Sequence, residues 1–187
     1  MQDAVLEGGF ADAPVEAAMA FRAALEAMAR PGRIETVAGA APPQPASPAA
    51  GALLLTLCDP ETPLHLAGRW DSPALRDWVR FHCGAPLVTA QQARFALGGW
   101  DELAPLSRFA SGTMEYPDRS ATLIVEMPAL EPRGITLRGP GIRDSAALSL
   151  PEAEAFRDNA ARFPLGLDFF FTCGDRLAAL PRSTRIG

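Results

Sequence analysis

The chain contains 187 residues, of which 48% are hydrophobic, and its 17 basic and 22 acidic side chains give a formal net charge of −5. This length is sufficient to bury the core of one domain. The acidic balance excludes the basic field that attracts nucleic acid, and no apolar run approaches the length of a membrane span.

The basic residues are all arginine, and lysine is absent from the sequence. A pyridoxal phosphate enzyme needs a lysine amine for its Schiff base, and a P-loop nucleotidase needs a lysine that reaches the phosphates. Both chemistries are therefore excluded. Arginine still binds phosphate and carboxylate oxygens, so anion binding remains open.

The cysteines and the amino terminus bear on compartment and metal content. Cys58, Cys83 and Cys173 are odd in number and far apart, which fits neither a disulfide framework nor a closely spaced metal site. The first residues, MQDAVLEGGFADAP, lack the basic and long apolar regions of a signal peptide. We therefore expect a cytoplasmic protein with no structural metal.

Residues 1–12 are expected to be loosely ordered, and the first helix is expected to begin after Asp12, with Pro14 in its first turn. Pro31 and Gly32 are expected to end this helix. Apolar residues at spacings of three and four predict its buried face: Ala18, Phe21, Leu25 and Met28.

The alanine- and proline-rich segment 38–51 predicts a long surface loop, because the part of the chain before it is too small for a separate domain. The apolar run 52–58 predicts a buried strand, with a short neighbouring strand at 63–67. A further helix is expected to start at Ser72 and to end at Gly84. The residues expected on its buried face are Leu75, Trp78, Val79 and Cys83.

A short helix is predicted at 103–109. Ser149 and Glu152 have the spacing of a capping box and predict a helix that ends near Arg162. Strands and helices mix along the chain without an internal repeat, which predicts an α/β class with a mixed sheet flanked by helices. The other predicted strands are 86–89, 94–97, 121–126 and 135–138.

The densest apolar run, 167–173, predicts a buried strand that pairs with a second run at 176–180 in a β-hairpin. Gly174 suits the first position of a type II′ turn, because glycine adopts a positive φ at little cost. Pro181 is expected to end the pairing, since it has no N–H to donate.

Three polar residues follow the predicted strand at 52–58: Asp59, Glu61 and Thr62. Ligands of sheet proteins bind just beyond the carboxyl ends of strands, so these side chains are candidates for ligand binding. An Asx-turn in an ordinary loop explains the same residues and stays open as the alternative.

His82 and Cys83 are neighbours on a predicted helix, and adjacent helical residues point about 100° apart. They are therefore not expected to act together as a base and a thiol nucleophile. Cys83 lies on the apolar side and is expected in the core. His82, near the helix C-terminus, is a candidate for capping or for contacting an anion.

The stretch Ser111, Gly112 and Thr113 offers hydroxyls and open backbone amides to an oxyanion or phosphate, and Arg108 just before it adds charge. Arg182, after the hairpin, is a candidate for contacting an anion or an acidic partner. A solvated loop and a surface arginine are the respective alternatives. The residues predict no catalytic group and no metal site.

Short stretches along the chain form an ordered set: FR (21–22), AMARPG (27–32), LLTLCD (54–59), TP (62–63), RFH (80–82), APLV (85–88), SGT (111–113), ATLI (121–124), G with GI (139, 141–142), FPLG (163–166), TCG (172–174) and PRST (181–184). Each stretch is weak by itself. In this order, over roughly residues 10–184, they resemble the PhnH family, the H subunit of the bacterial carbon–phosphorus lyase system.

The resemblance implies a single PhnH-like domain over residues 1–187, with a fold similar to the large domain of pyridoxal phosphate transferases but without that cofactor. The absence of lysine agrees with this. It also implies a cytoplasmic homodimer in a complex with the G, I and J subunits. The complex would convert ATP and an alkylphosphonate into a ribose 1-phosphonate 5-triphosphate, with this subunit inactive alone. The family supplies no catalytic residue to transfer.

The residues leave two other functions open. One is a stand-alone module that binds a nucleotide or a phosphonate through Arg108 and Thr113. The other is an independent hydrolase that uses the Cys83 thiol as its nucleophile.

Overall fold

The computed structural model describes residues 6–187, which form two sheets with helices on both faces of the larger one. Residues 1–5 of the segment expected to be loosely ordered lie outside the described residues. Within that segment, the Gly8 carbonyl accepts a hydrogen bond from the Ala41 N–H at 2.9 Å. The Glu7 carbonyl accepts one from the Trp78 indole at 3.1 Å. These bonds attach the start of the described chain to the rest of the domain.

The larger sheet has six strands in the order β1-β8-β7-β4-β3-β2. They are β1 (Glu35–Thr36), β2 (Leu64–Leu66), β3 (Phe95–Gly99), β4 (Thr122–Glu126), β7 (Asp168–Cys173) and β8 (Arg176–Leu180). The strands β2, β3, β4 and β7 run parallel, whereas β8 and β1 are antiparallel to their neighbours. The prediction of an α/β class with a mixed sheet is therefore confirmed.

The smaller sheet is antiparallel, with the order β6-β5-β9. Its strands are β5 (Ile135–Arg138), β6 (Ala146–Leu148) and β9 (Arg185–Ile186). Together with α4 (Trp100–Leu103) and α5 (Glu154–Ala161), it covers one face of the larger sheet. The other face is covered by α1 (Ala13–Ala29), α2 (Pro48–Leu57) and α3 (Pro73–His82). None of the helices in residues 6–187 has both the length and the hydropathy that crossing a bilayer requires.

The β7–β8 hairpin forms as predicted. Gly174, the first residue of the turn, takes a φ of +61°, and Asp175, the second, does not have a positive φ. A type II′ turn requires this combination. Alternate side chains of β7 point to opposite sides of the sheet, and a hydrophobic core on each side buries them. Phe169 and Phe171 pack in the core shared with α5, and Phe170 packs in the core shared with α1–α3.

The run 52–58, predicted to be a strand, is a helix instead. Residues 52–57 lie in α2 and Cys58 is its C-cap, and because α2 begins at Pro48 the predicted loop 38–51 also loses its last residues to this helix. Ser47 caps α2 by accepting a hydrogen bond from the Ala50 N–H at 3.2 Å, and proline is well tolerated at the first helical position. Because α2 is buried nearly all round, its sequence shows no helical periodicity, and an apolar run of this length fits either structure.

The predicted buried face of α1 is wrong for Ala18, Phe21 and Leu25, and only Met28 of the predicted residues packs against the core, partly buried. Phe21 and Leu25 are 48% and 53% exposed, while the buried residues are Ala20, Ala24 and Ala27. At about 100° per residue, the buried face is rotated by roughly 110° from the predicted one. The prediction followed the largest apolar side chains, whereas α1 packs on α2 and β8 through small alanines.

Three boundaries also differ from their predictions. Ser149 does not cap a helix, because its hydroxyl accepts a hydrogen bond from the Glu131 N–H at 2.9 Å and α5 begins only at Glu154. The helix predicted at 103–109 is the short α4 followed by a 3₁₀ turn at Leu106–Arg108. The strand predicted at 86–89 reduces to a single bridge between Leu87 and Leu64.

Candidate functional site

A cavity of about 760 Å³ lies beside the carboxyl ends of β3 and β4 and the turn after β7. We call it the edge cavity. Ligands of open α/β sheets bind outside the carboxyl ends of the strands, and cavities of 300–1,000 Å³ are typical of small-molecule sites. Its lining includes Ser47, Arg69, Trp70, Asp101, Glu102 and Glu126.

Glu126 is the last residue of β4 and binds the amino end of α2. Its Oε1 accepts a hydrogen bond from the Ser47 N–H at 2.6 Å. Burial raises the pKa of Glu126, while hydrogen bonds from Ser47 and the Thr172 side chain and the positive charge of Arg69 oppose the rise. The site therefore holds a partly desolvated carboxylate at the junction of a central strand and a helix N-terminus.

Arg69 supplies the positive charge of the edge cavity. It lies in a 3₁₀ turn, Gly68–Trp70, that directly follows β2. Its guanidinium carbon lies 4.4 Å from the centroid of the Trp70 ring, and the side chain is solvent-exposed. Stacking on an indole favours an arginine electrostatically and restricts its orientation.

Two glycines make room for the acidic side of the cavity. A Cβ on Gly99 would lie 2.5 Å from Glu102 Oε2 and 3.0 Å from the Trp70 ring. A Cβ on Gly68 would lie 2.4 Å from Glu102 Cγ, and Gly68 has a φ of +51°. Glycine at both positions therefore allows Glu102 and Trp70 to pack against the backbone where β2 and β3 end.

The polar groups of the edge cavity are not all satisfied within the described residues. The Trp70 indole N–H is buried without a hydrogen-bond partner in residues 6–187. Buried polar atoms usually have partners, so the Trp70 N–H is a hydrogen-bond donor whose partner is not among the described residues.

No group of three or more histidine, cysteine or carboxylate side chains in residues 6–187 is arranged to hold a metal ion. The edge cavity instead combines one guanidinium, three carboxylates and two indole rings. Carboxylates accept hydrogen bonds from hydroxyl and amino groups, and a guanidinium donates to phosphate oxygens.

Asp59, Glu61 and Thr62 lie away from the edge cavity. They follow the helix α2 rather than a strand, and they precede the amino end of β2. Asp59 Oδ1 accepts hydrogen bonds from the Thr62 hydroxyl at 2.7 Å and from the Glu61 N–H at 2.8 Å, and these bonds lower the pKa of Asp59. The Asx-turn that was left open as the alternative is therefore present.

His82 and Cys83 have separate environments. His82 Nε2 lies 3.1 Å from the Glu7 carbonyl oxygen, and its ring packs beside Trp78 and Phe81. Cys83 is buried in the core as predicted, with its Sγ 3.6 Å from the Leu54 carbonyl. Burial raises the pKa of the Cys83 thiol to about 12, so little nucleophilic thiolate exists near neutral pH.

The loop 111–113 uses its polar groups internally. The Thr113 hydroxyl accepts a hydrogen bond from the Tyr116 N–H at 3.0 Å, and Ser111 forms a bridge with Ser120 ahead of β4. Gly112 has a φ of +80° and lies against the Pro117 backbone. Arg108 donates to the carbonyl oxygens of Glu102, in α4, and of Ala104, just after that helix.

Arg182 is half-buried and fully engaged. It donates to both carboxylate oxygens of Asp168, to the Ser120 hydroxyl and, at 2.6 Å, to the Pro117 carbonyl. We call these four residues the Arg182 cluster. It joins the amino end of β7 to the segment before β4, so the structure brings Arg182 and the loop 111–113 to the same edge of the sheet. Ligand binding by these residues stays a prediction.

Comparison with known proteins gives a consistent result. The family model described as "Bacterial phosphonate metabolism protein (PhnH)" matches residues 8–187. The chain belongs to the PhnH family.

Two curated relatives match this PhnH-family chain over nearly its whole length. One is the alpha-D-ribose 1-methylphosphonate 5-triphosphate synthase subunit PhnH of Rhizobium meliloti (strain 1021). It is 39% identical over 99% of this chain and 97% of its own length. The other is the putative C-P lyase subunit protein HtxG of Stutzerimonas stutzeri. It is 29% identical over 96% of this chain and 95% of its own length.

Sequence reasoning missed the polar residues of the edge cavity. Glu126 was visible as the final residue of the predicted strand 121–126, at its carboxyl end, which was a usable signal. Arg69, Asp101 and Glu102 carried no such signal. Arg69 lies in the turn after β2, and Asp101 and Glu102 lie in α4 after β3. Only the parallel arrangement of β2, β3 and β4 brings them together with Glu126.

Proposed function

We propose that this chain is a subunit of the complex that makes alpha-D-ribose 1-methylphosphonate 5-triphosphate during phosphonate catabolism. The supporting observation is the 39% identity to a subunit of that synthase, which extends over 99% of this chain. The match also covers 97% of that subunit's own length.

The proposal includes assembly as a homodimer with the G, I and J subunits in the cytoplasm. Large apolar side chains on one side of α1 support assembly, because monomeric proteins expose few such residues. The exposed residues of this kind are Val15, Met19, Phe21 and Leu25. The proposal also includes a fold related to the large domain of pyridoxal phosphate transferases, without the cofactor, because the sequence has no lysine to bind it.

Genetic complementation tests this function. A bacterium that grows on methylphosphonate as its sole phosphorus source would have its own H-subunit gene deleted and would then receive this chain with an affinity tag. We expect growth to return and the G, I and J subunits to co-purify with the tag. Growth on phosphate controls for general fitness. Failure to restore growth, with the chain expressed and folded, would contradict the proposal.

A further inference from the structure

We propose that the edge cavity binds a ribose 5-phosphate unit, with the sugar hydroxyls on its carboxylates and the phosphoryl group nearest the sugar on Arg69. The choice of substrate class rests on the proposed function, since ribose carrying a 5-triphosphate is named in the relative's product. The assignment of this cavity and of these residues to that unit comes from their chemistry.

The charge of the lining excludes a bare polyanion as the main occupant. Asp101, Glu102 and Glu126 contribute three carboxylates against the single guanidinium of Arg69. A triphosphate lying inside the cavity would meet more negative than positive charge. An occupant with several hydroxyl donors suits the same surface, because ionised carboxylates accept hydrogen bonds and donate none.

The carboxylates are positioned before a ligand arrives. Glu126 is held by the Ser47 N–H, which donates to its Oε1 at 2.6 Å. Glu102 packs where Gly68 and Gly99 leave space for it. Carboxylates from the ends of strands hold ribose hydroxyls in dinucleotide-binding sheets by the same chemistry, and preorganised acceptors lose less entropy on binding.

Arg69 is suited to one phosphoryl group at the side of the cavity. No carboxylate in residues 6–187 lies within salt-bridge distance of its guanidinium. Stacking on Trp70 restricts the orientation of its planar donors, which bind two phosphate oxygens side by side. The indole N–H of Trp70, buried without a partner among the described residues, adds a donor in a residue that lines the cavity.

Ligand titrations of the full-length chain test this assignment. The chain is titrated with ribose 5-phosphate, ATP, 2-deoxyribose 5-phosphate and inorganic triphosphate, with calorimetry and tryptophan fluorescence as readouts. We expect ribose 5-phosphate and ATP to bind. Loss of the 2-hydroxyl should weaken binding about tenfold, and inorganic triphosphate should bind at least about tenfold more weakly than ATP.

The two binding arms distinguish the sources of the ribose phosphate unit. Equal affinities for ribose 5-phosphate and ATP would identify the sugar phosphate alone as the recognised unit. Tighter binding of ATP, with the 2-hydroxyl dependence retained, would add contacts to the base or the outer phosphates. Both results support the proposal. Equal affinities for ribose 5-phosphate and 2-deoxyribose 5-phosphate would overturn it. So would inorganic triphosphate that binds as tightly as ATP, or the absence of binding by both ribose 5-phosphate and ATP.

Variants assign the roles of individual residues. Arg69→Ala is expected to weaken ribose 5-phosphate binding about tenfold. Glu102→Gln keeps the shape of the side chain and is expected to reduce the preference for ribose over 2-deoxyribose. Arg94→Ala, at an exposed position just before β3 and therefore at the other end of that strand from the cavity, is the matched control and should change neither. Unaltered binding by folded Arg69→Ala and Glu102→Gln proteins would contradict the assignment.

This test separates the ligand assignment from the proposed function. If the wild-type chain restores growth and co-purifies with its partners, but binding lacks the expected ribose and phosphate dependence, only the ligand assignment fails. If the wild-type chain does not restore growth, the proposed function fails whatever the cavity binds. The double variant Arg69→Ala, Glu102→Gln should retain its partners and fail to support growth on methylphosphonate.

Discussion

Glu126, in the edge cavity, contributes to the pH dependence of the free energy of unfolding. Burial raises its pKa above the ordinary value of 4.5, so the folded protein binds this proton more tightly than the unfolded chain does. The free energy of unfolding therefore contains a contribution that is fully present below pH 4.5 and is lost as the pH rises through the raised pKa.

Glu126→Gln should remove that loss. Glutamine still accepts the hydrogen bond from the Ser47 N–H, but it has no charge to desolvate. We expect the variant to be as stable as the wild type at low pH and more stable near pH 8, as measured by urea denaturation at several pH values. Glu61→Gln, at an exposed position, is the control. An identical pH dependence in wild type and Glu126→Gln would contradict this account.

The Arg182 cluster is expected to stabilise the fold. Arg182 and Asp168 have side chains that are only 14% and 22% exposed. Arg182→Ala would leave the Asp168 carboxylate without its partner and remove the bonds to Ser120 and Pro117. Removing one partner of a buried pair is strongly destabilising, and partial exposure reduces the effect. We expect a loss of about 2 kcal/mol in the free energy of unfolding.

Chemical denaturation of Arg182→Ala measures this loss, and Arg185→Ala is the control at an exposed neighbouring position. The control should stay within about 0.5 kcal/mol of the wild type. Equal stabilities of the two variants would show that the Arg182 cluster contributes little, and Arg182 would then be available for the anion contact predicted from the sequence.

At the scale of elements, α2 and α3 begin in the same way. Ser47 and Ser72 each accept a hydrogen bond at 3.2 Å from the backbone N–H three residues later, with a proline next in sequence. Replacing a serine N-cap with alanine costs about 1 kcal/mol. Ser47→Ala and Ser72→Ala should therefore lower the free energy of unfolding by similar amounts in parallel denaturation experiments.

This comparison also tests the correction of the segment 52–58 from strand to helix. If 52–58 were a strand, Ser47 would precede a loop and Ser47→Ala would have almost no effect. A loss in Ser72→Ala without a loss in Ser47→Ala would therefore contradict the observed start of α2.

The sequence was sufficient for elements whose pattern is local. The β7–β8 hairpin follows from an apolar run and Gly174, and α3 follows from Ser72 and an apolar face at helical spacing. The identity of α2 did not follow, because a helix buried nearly all round has no periodicity to distinguish it from a strand. The buried face of α1 did not follow either, since Ala20, Ala24 and Ala27 carry a weaker hydrophobic signal than Phe21 and Leu25.

At the scale of the whole molecule, the edge cavity depends on contacts distant in sequence. Its polar residues come from the loop before α2, the turn after β2, the helix after β3 and the end of β4. The sequence predicted most of these strands but not their order in the sheet, which decides which turns meet. The predicted residues Asp59 and Arg182 instead lie toward the amino ends of strands.

By our proposal, this PhnH-family chain is a required subunit for making alpha-D-ribose 1-methylphosphonate 5-triphosphate. Purified G, I and J subunits would be incubated with ATP and methylphosphonate, with and without this chain, and the product followed by phosphorus NMR. We predict that the product forms only when the chain is present. Formation of the same amount of product in its absence would contradict the claim.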